Sequence, residues 1–435
     1  MIKVDFINRW KSAKLFTIFI ENKDKNSSFS NDHALQFYFG SIIPKKKYEM
    51  TDELIDIYKK YTIVRPCDIV INGLNLNYDF VTQRIGLVTE QGIITSAYIS
   101  LRCRQNFNAL YYCYLFKVLD AQKLFHGMGT GIRLTLSYNE LKYLELPVPP
   151  RDEQEQIVRF LDWKVSEINR LVNIKRQEIK ALEELKQSII SHSVIKGLNS
   201  STAKKYSETK WLGDIPIHWQ LKKIGALFVE RKIKVSDKDF APLSVAKIGV
   251  VPQLETAVKT DAGDNRKLVC VGDFVINSRS DRKGSCGVSY LDGSVSLINI
   301  VLVPRDELNI NYVHYLLRSQ PFSEEYYRNG RGIVADLWTT RYSEMKSIML
   351  PVPPFDEQEE IARFLDCKVS KINKLMNIKR NDIDSLNELK IKLIADVVTG
   401  KIDVCGIKVP DYEFVAENAD SDIDDNEDDK AADEN

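Results

Sequence analysis

The sequence lacks the features that mark membrane and secreted proteins. No run approaches the roughly 18–20 consecutive apolar residues that are needed to span a bilayer. The N-terminus, MIKVDFINRW, has no apolar stretch of the kind found in a signal peptide. The 7 cysteines are scattered and form no CxxC pair, which favours a reducing cytosol over a disulfide framework or a zinc site. We therefore expect a cytoplasmic protein.

Motifs for nucleotide, metal and nuclease chemistry are also missing. The sequence has no GxxxxGK[ST] loop, no GxGxxG between a strand and a helix, and no ligand spacing among its 5 histidines. Glu184 with Lys186 matches only the end of a nuclease E-x-K motif, because no paired aspartate accompanies it. The sequence thus predicts a chain that positions other molecules, with no catalytic residue, metal or cofactor of its own.

Charge is distributed unevenly along the 435 residues. The last 25 residues hold 12 acidic residues and 1 lysine, whereas the other 410 residues carry 60 Lys+Arg against 49 Asp+Glu. A basic body with an acidic tail favours a polyanionic partner such as nucleic acid. The tail itself fits either a solubility segment or an internal DNA-like competitor.

An internal repeat organises the chain. Residues 146–176 and 350–380 are identical at 24 of 31 positions, and weaker matches such as 68–72 with 273–277 extend the repeat outward. We predict two diverged domains that alternate with two nearly identical helical segments. The predicted boundaries are 1–149 and 199–353 for the domains, 150–198 and 354–404 for the helices, and 405–435 for a C-terminal segment with the acidic tail.

The helical segments have the pattern of a coiled coil. Apolar residues recur at alternating spacings of 4 and 3 from Leu161 and from Leu365, and lysines interrupt both series at matching places. Asp152 and Asp356, each followed three residues later by a glutamate, are predicted N-caps. Gly197 and Gly400 lie where a C′ glycine would end each helix. The lysine interruptions are Lys175, Lys186, Lys379 and Lys390.

A long amphipathic helix must bury its apolar face, and the simplest partner is the other helix of the same chain. The linear order favours an antiparallel pair with a pseudo-two-fold repeat, because a compact domain returns the chain close to where it entered. Pairing with helices of another chain is the alternative. The domains mix short β-rich runs with short helices, so we predict an α+β fold with mostly antiparallel sheets.

The two domains differ most in the inserts that follow Asn72 and Asn277. Both inserts are rich in side chains that read bases or hold phosphates: arginine reads guanine, and asparagine or glutamine reads adenine. We predict DNA contacts from these inserts and from nearby basic residues, with ordinary solvated loops as the alternative. The first-domain candidates are Asn72, Asn75, Asn77, Tyr78, Gln83, Arg84, Arg102, Arg104 and Arg133, with Lys45, Lys46 and Lys47 as further basic residues. The second-domain candidates are Lys259, Arg266, Lys267, Asn277, Arg279, Arg282, Lys283, Arg328 and Arg331.

The doubled motif resembles the specificity subunits of type I restriction-modification systems. It reads Leu-Pro-Val-Pro-Pro-x-Asp-Glu-Gln at 146–154 and 350–358, and the stretch 211–219 resembles the opening of a target recognition domain. The resemblance covers residues 1 to about 405. The first domain lacks a counterpart of residues 211–216, and the acidic tail has none in the repeat.

The resemblance implies two target recognition domains that each read half of a split DNA sequence. It also implies two methyltransferase subunits that use S-adenosylmethionine, and restriction subunits that use ATP and Mg²⁺. Because the helical segments are nearly identical, we predict that the first residues of each segment, its lead-in, contact the same kind of partner. A coiled-coil scaffold, an orphan recognition protein of another phage-defence system and a single-chain enzyme are the alternatives. The partner-binding candidates are Glu153, Gln154, Arg159, Glu357, Gln358 and Arg363.

Overall fold

The structure, a computed structural model, forms two compact units. Unit 1 comprises the described residues up to 175 together with 381–416, and unit 2 comprises 176–380. Each unit therefore contains one α+β domain and parts of two long helices. The described residues are 9–38, 40–46, 49–76, 83–131, 134–254, 263–305, 307–332 and 338–416.

Unit 1 begins with its domain and continues into the first long helix. The elements of the domain are β1 (Lys11–Lys14), α1 (Leu15–Ile18), β2 (Phe19–Glu21), β3 (Leu35–Tyr38), β4 (Ser41–Pro44), α2 (Asp52–Tyr58), β5 (Thr62–Val64), β6 (Ile69–Ile71), β7 (Ile85–Leu87), β8 (Gly92–Ile94), β9 (Ile99–Cys103), α3 (Ala109–Ala121), a 3₁₀ turn (Phe125–Gly127), α4 (Tyr138–Leu141) and β10 (Glu145–Val148). The long helix α5 spans Arg151–Lys196 and passes into unit 2.

Unit 2 largely repeats this order: it has additional elements, and α2 has no counterpart among its described residues. Its domain contains β11 (Lys204–Tyr206), β12 (Asp214–Pro216), β13 (Gln220–Lys223), α6 (Ile224–Leu227), β14 (Phe228–Glu230), β15 (Lys234–Val235), β16 (Leu243–Ala246), β17 (Gly249–Pro252), β18 (Arg266–Val269), β19 (Phe274–Asn277), a 3₁₀ turn (Ser280–Arg282), β20 (Cys286–Val288), β21 (Gly293–Val295), β22 (Asn299–Pro304), α7 (Ile310–Leu316), α8 (Gln320–Arg328), α9 (Tyr342–Met345) and β23 (Met349–Val352). The second long helix, α10, spans Phe355–Val398 and passes into unit 1.

The sheets confirm the predicted antiparallel α+β fold. The main sheet has the order β2-β9-β6-β7 in unit 1 and β14-β22-β19-β20 in unit 2. Its central strands have matching registers: Val70 pairs with Ser100 and Gly86, and Val275 pairs with Val301 and Gly287. The hairpin β3-β4 likewise corresponds to β16-β17, and the pair β1-β10 to β13-β23.

Each core combines one domain with the end of the helix that arrives from the other unit. The core of unit 1 includes Val397 and Val398 of α10, and the core of unit 2 includes Val194 and Ile195 of α5. Buried tyrosines fix both helix ends. The Tyr111 hydroxyl donates to the Val398 carbonyl at 2.9 Å, and in unit 2 the Tyr312 hydroxyl donates to the Val194 carbonyl at 3.2 Å.

The long helices begin earlier than predicted. The Gln154 N–H donates to the Pro150 carbonyl and the Gln358 N–H to the Pro354 carbonyl, each at 3.0 Å. Asp152 and Asp356 therefore lie inside the first turn, and their assignment as N-caps is wrong. Their carboxylates still favour the positive end of the helix dipole.

The predicted ends of both helices are confirmed. Gly197 and Gly400 have φ values of 75° and 78°, which a C′ glycine adopts without strain. A Cβ atom at Gly197 would lie 3.2 Å from the Trp219 ring, and one at Gly400 would lie 2.8 Å from the Trp10 ring. Glycine is thus required at both positions for conformation and for space.

Within each unit the two helices run antiparallel, and the seam lysines are paired. In unit 1, Lys175 Nζ donates to Asp382 Oδ2 at 2.9 Å, and Lys390 Nζ donates to Asn169 Oδ1 at 3.3 Å. In unit 2, Lys379 Nζ lies 2.8 Å from Glu178 Oε2, and Lys186 Nζ donates to Asn373 Oδ1 at 3.4 Å. Partners on the facing helix explain why a seam tolerates these charges, because a buried charge needs a polar partner.

Residues 401–416, the C-terminal strap, pack along α5 in unit 1. Gln156 Nε2 donates to the carbonyls of Val404 at 3.1 Å and Ile407 at 2.7 Å. Asn169 Nδ2 donates to the Val415 carbonyl at 2.9 Å, and the Val415 N–H donates to Ser166 Oγ at 3.1 Å. The strap thus completes unit 1.

Candidate nucleic-acid interface

The candidate interface is built on the loops that leave the central strands β6 and β19. Asn72 Oδ1 accepts the Leu74 N–H, and Asn277 Oδ1 accepts the Arg279 N–H, each at 3.1 Å. An asparagine that binds the backbone two residues further on forms an Asx turn. Asn72 and Asn277 therefore shape the loops, and base contact by either residue stays a prediction.

In unit 2 this loop pairs with a second segment and forms what we call the arginine ladder: Arg279, Thr339 and Arg331. Thr339 pairs antiparallel with Arg279 on one side and with Arg331 on the other. The Arg331 N–H donates to the Thr339 carbonyl at 3.1 Å, and the reverse bond is 3.0 Å. Residues directly opposite in antiparallel pairs share a face, so the three side chains project from one side.

The ladder is exposed on that side and firmly supported behind it. The Arg279 side chain is 47% exposed and its Nε lies 3.2 Å from Asp281, while Arg331 is also exposed. On the inner side, the Tyr326 hydroxyl donates to the Thr340 carbonyl at 3.0 Å. Burial holds the pKa of Tyr326 well above its ordinary value, so this hydroxyl remains a donor.

Unit 1 has the same backbone pattern without arginines at the described ladder positions. Thr130 and Thr135 exchange two backbone hydrogen bonds of 3.0 and 2.9 Å, as Arg331 and Thr339 do. The Leu136 N–H donates to the Gly73 carbonyl at 2.9 Å, where unit 2 has Thr340 and Ser278. The loop of unit 1 is one residue longer at this point, so Leu74 and Asn75 together correspond to Arg279. Asn75 is exposed and has a φ of 51°.

Arg84 supports this loop from inside, which corrects its assignment as a base reader. The residue is only 1% exposed. Its Nη1 donates to the carbonyls of Asn72 at 3.1 Å and Leu74 at 2.7 Å, and its Nη2 to that of Asn75 at 3.4 Å. A guanidinium that holds three loop carbonyls inside the domain does not reach a base edge in this conformation.

Three further basic candidates are also engaged within the domains. Arg102 forms a bidentate pair with Asp68, with two N–O distances of 2.9 Å, and these hydrogen bonds raise the pKa of Arg102. Arg266 is buried and donates to Ser294 Oγ at 2.9 Å, and Lys267 Nζ donates to the Asn299 carbonyl at 2.7 Å. These contacts stabilise the domains; Arg266 is buried, and DNA contact by the partly exposed Arg102 and Lys267 stays a prediction.

The other candidates divide between exposed positions and positions outside the described residues. DNA contact by the exposed ones stays a prediction, and Arg328 among them also pairs with Glu325 at 3.1 Å. Arg282 is partly exposed, and its carbonyl accepts the Tyr327 hydroxyl at 3.2 Å. The exposed candidates are Asn75, Gln83, Arg104, Arg279, Lys283, Arg328 and Arg331, with Lys46 exposed and Lys45 partly so. Outside the described residues lie Asn77, Tyr78, Arg133 and Lys259, as does Lys47.

The glutamines of the doubled motif have an internal role that corrects their assignment to a partner surface. Gln154 is buried, and its Oε1 accepts the Asn108 N–H at 2.8 Å while its Nε2 donates to the Pro149 carbonyl at 2.8 Å. Gln358 repeats this in unit 2, with the Asn309 N–H at 2.9 Å. Each glutamine joins the start of a long helix to the start of a domain helix.

The glutamates of the motif hold a tryptophan in each unit. Trp10 Nε1 donates to Glu153 at 3.1 Å, and Trp219 Nε1 donates to Glu357 at 3.0 Å. Each tryptophan also packs on the C′ glycine described above. Of the six candidates, Arg159 and Arg363 are exposed and Glu153 and Glu357 are partly exposed, so partner contact by these four stays a prediction.

One group of side chains within the described residues has ligand atoms close enough to hold a metal ion. The carboxylates of Glu153 and Asp403 and the thiol of Cys405 lie within 4.8 Å of one another. Arg9 pairs with Glu153 at 2.8 Å and with Asp403 at 3.0 Å, so a guanidinium already balances the acids. Burial raises the pKa of Cys405 to about 11, which keeps the thiol protonated and a poor ligand. The chemistry of this group does not fit a metal.

Sequence reasoning missed two sets of residues. The first is Thr339 with its unit 1 counterpart Thr135, which lie opposite the predicted loops and become neighbours only through backbone pairing. The second is a set of exposed leucines and isoleucines on the long helices, outside the seam period but repeated at an offset of 204. They are Leu171, Ile174 and Leu389 in unit 1, and Leu185, Leu375 and Ile378 in unit 2.

Comparison with known proteins agrees with this architecture. The family model described as "Type I restriction modification DNA specificity domain" matches residues 18–184. The putative type I restriction enzyme MjaX specificity subunit of Methanocaldococcus jannaschii is 25% identical over 70% of this chain and 71% of that protein. The MjaVIII specificity subunit of the same organism is 22% identical over 91% of this chain and 93% of that protein.

Solved structures show the same fold. A chain from work on complex assembly and conformational transition of the type I R-M system has a TM-score of 0.64 at 14% identity, covering 92% of this chain and 100% of that chain. In the described part of this chain, none of the helices has the length and apolarity to cross a membrane. The chain is thus similar to type I restriction-modification specificity subunits, as its doubled motif predicted.

Proposed function

We propose that the chain is a sequence-specific DNA-binding subunit that reads a split target, with one half-site for each unit. The observation that carries this proposal is the repeated backbone pattern at the interface, which presents Arg279, Thr339 and Arg331 in unit 2 but Asn75, Thr130 and Thr135 in unit 1. One supporting frame with two sets of exposed side chains suits two different half-sites.

The long helices are proposed to set the spacer between the half-sites, because α5 and α10 each continue from one unit into the other. A test is to insert four residues after Lys175 and four after Arg380, which adds about one turn and 6 Å to each helix. Selection from a random duplex pool should return both half-sites with a longer spacer. Insertions of two residues, out of helical phase, serve as the control and should weaken binding. An unchanged spacer after the four-residue insertions would refute this role.

We further propose that two methyltransferase subunits dock on the helices, one per unit, and that restriction subunits join the assembly. The repeated exposed apolar residues support two equivalent docking sites, since large apolar side chains on a surface mark interaction sites. Replacing Leu171 and Ile174 by serine should remove one of two bound methyltransferase subunits, and L375S with I378S should remove the other. Native mass measurement reads the stoichiometry, and a wild-type complex with a single subunit at saturation would contradict the proposal.

In this proposal the chain is not itself catalytic. S-adenosylmethionine, ATP and Mg²⁺ would be bound by its partner subunits. Methyl transfer by the purified chain alone would refute this, whereas failure to enrich any sequence from a random duplex pool would favour the alternative of a scaffold that does not bind DNA.

A further inference from the structure

The arginine ladder brings two exposed arginines onto one face, whereas the described residues of its unit 1 counterpart include no arginine at the matching positions. Arginine recognises guanine by two parallel hydrogen bonds to O6 and N7 in the major groove. Arg279 and Arg331 are the exposed arginines that the pairing with Thr339 brings onto one face. At the described matching positions, unit 1 has Leu74 or Asn75 and Thr130.

The pairing also fixes how far apart the two arginines are. The Arg331–Thr339 pair is hydrogen-bonded, and the Arg279–Thr339 pair is not, because the flanking bonds run from Ser280 N–H to Trp338 and from Thr340 N–H to Ser278. Pairs of these kinds have Cα separations of about 5.5 and 4.5 Å, so the arginines originate about 10 Å apart. Successive base pairs are about 3.4 Å apart along each strand, so this separation corresponds to about three base pairs.

The environment of Arg279 orients its guanidinium. The ion pair with Asp281 is made through Nε, at 3.2 Å from Oδ1. The backbone beneath is fixed by the Tyr326 and Tyr327 hydroxyls, which donate to the carbonyls of Thr340 and Arg282. Such support keeps a side chain in position before it binds, which lowers the entropic cost of recognition.

We infer that unit 2 reads a half-site with two guanines about three base pairs apart, one contacted by Arg279 and the other by Arg331. Unit 1, with threonines and an asparagine at the described matching positions, reads a half-site whose specificity depends on adenine and on the thymine methyl group. Thr339 lies between the arginines and contacts the intervening base pair. This inference rests on the proposed function and adds the chemistry of each half-site.

The test uses the full chain and a random duplex pool with sequencing of the bound fraction. Lysine keeps the charge of arginine but lacks its bidentate fork, so R279K and R331K separate base reading from phosphate binding. Each variant should lose about 5- to 150-fold of the preference for one guanine, in the same half-site, while overall affinity changes little. The matched control is R305K, the same exchange at an exposed arginine that follows β22 and is not a candidate DNA contact, and it should leave the selected sequence unchanged.

The outcomes are distinguishable. If wild-type protein selects a split sequence but both lysine variants select it unaltered, the ladder assignment is overturned and the proposed function stands. If R279A and R331A weaken binding equally for all sequences while the lysine variants behave as wild type, the arginines hold phosphates and the inference is also overturned. If wild-type protein selects no split sequence, the proposed function itself fails. A melting curve of each variant verifies that unit 2 remains folded.

Discussion

The two units have nearly the same backbone frame, but different residues support it from inside and different side chains are exposed on it. In unit 1 a buried arginine, Arg84, holds the interface loop through backbone carbonyls, whereas in unit 2 Tyr326 and Tyr327 support the ladder from behind. The matched aspartates Asp68 and Asp273 show the same principle. Each accepts a bidentate arginine, but Arg102 comes from β9 and Arg231 follows β14. What the repeat keeps is the hydrogen bonding that the frame requires, and the residues that supply it are free to change.

The helical segments differ for a more local reason. Only seven positions distinguish 146–176 from 350–380. Four of these seven are residues of α5 that face the C-terminal strap, which is a part of unit 1. They are Gln156, Trp163, Glu167 and Arg170, replaced in α10 by Glu360, Cys367, Lys371 and Lys374. Divergence in an almost identical helix thus coincides with the contact to the C-terminal strap, which belongs to unit 1.

The largest expected effect concerns Trp10 and Trp219, the tryptophans that bind the glutamates of the doubled motif. Trp219 is fully buried, whereas Trp10 is only partly buried, although both donate to a matched glutamate. W219A should destabilise unit 2 by about 3–5 kcal/mol because it removes a buried aromatic side chain, and W10A should cost unit 1 less. Hydrogen exchange measured by mass spectrometry resolves the two units. Equal losses in both units would show that burial does not distinguish the pair.

A smaller, pH-dependent difference should distinguish the α-helices α3 and α7. Burial and the neighbouring Arg318 lower the pKa of His314 to about 4, while unit 1 has Cys113 at the matched position. The unfolded chain binds a proton at His314 near pH 6.5 and the folded one only near pH 4, so unit 2 loses stability as the pH falls between these values, by about 2–3 kcal/mol in total.

The control for this prediction is H314N, which keeps an acceptor for the Val288 N–H but does not titrate. In this variant, the stability of unit 2 should change much less between pH 6.5 and pH 4 than it does in the wild type. Urea unfolding followed by hydrogen exchange at a series of pH values measures this. An unaltered pH profile in the variant would assign the acid sensitivity to other groups.

The smallest effect should come from exchanging the strap residues. Q156E replaces the donor to two strap carbonyls by an acceptor, which should loosen residues 401–416 by about 1–2 kcal/mol. The reverse exchange at the matched position, E360Q, changes an exposed residue and should have no measurable effect. Limited proteolysis of the strap compares the two variants, and equal cleavage rates would contradict the assigned contact.

Much of the fold could be predicted because its signals are periodic or repeated. The seam of α5 and α10, the antiparallel sheets and the glycines at 197 and 400 all follow from local chemistry. The roles of individual arginines could not be predicted in this way. Arg84 and Arg279 both occur in polar inserts after a matched asparagine, yet one is buried and the other exposed. The difference arises from loop carbonyls and from Thr339, which are distant in sequence or defined only by the folded backbone.

The nested construction of the units has a consequence for how the protein is made. Unit 2 is one uninterrupted segment, 176–380, whereas unit 1 needs both the start of the chain and residues 381–416. On a ribosome, unit 2 has all of its described residues available while unit 1 still lacks Val397, Val398 and Val404 from its core. The unit whose domain is translated first is therefore the last to have all of its residues. Premature termination near residue 380 would leave unit 2 complete and unit 1 incomplete.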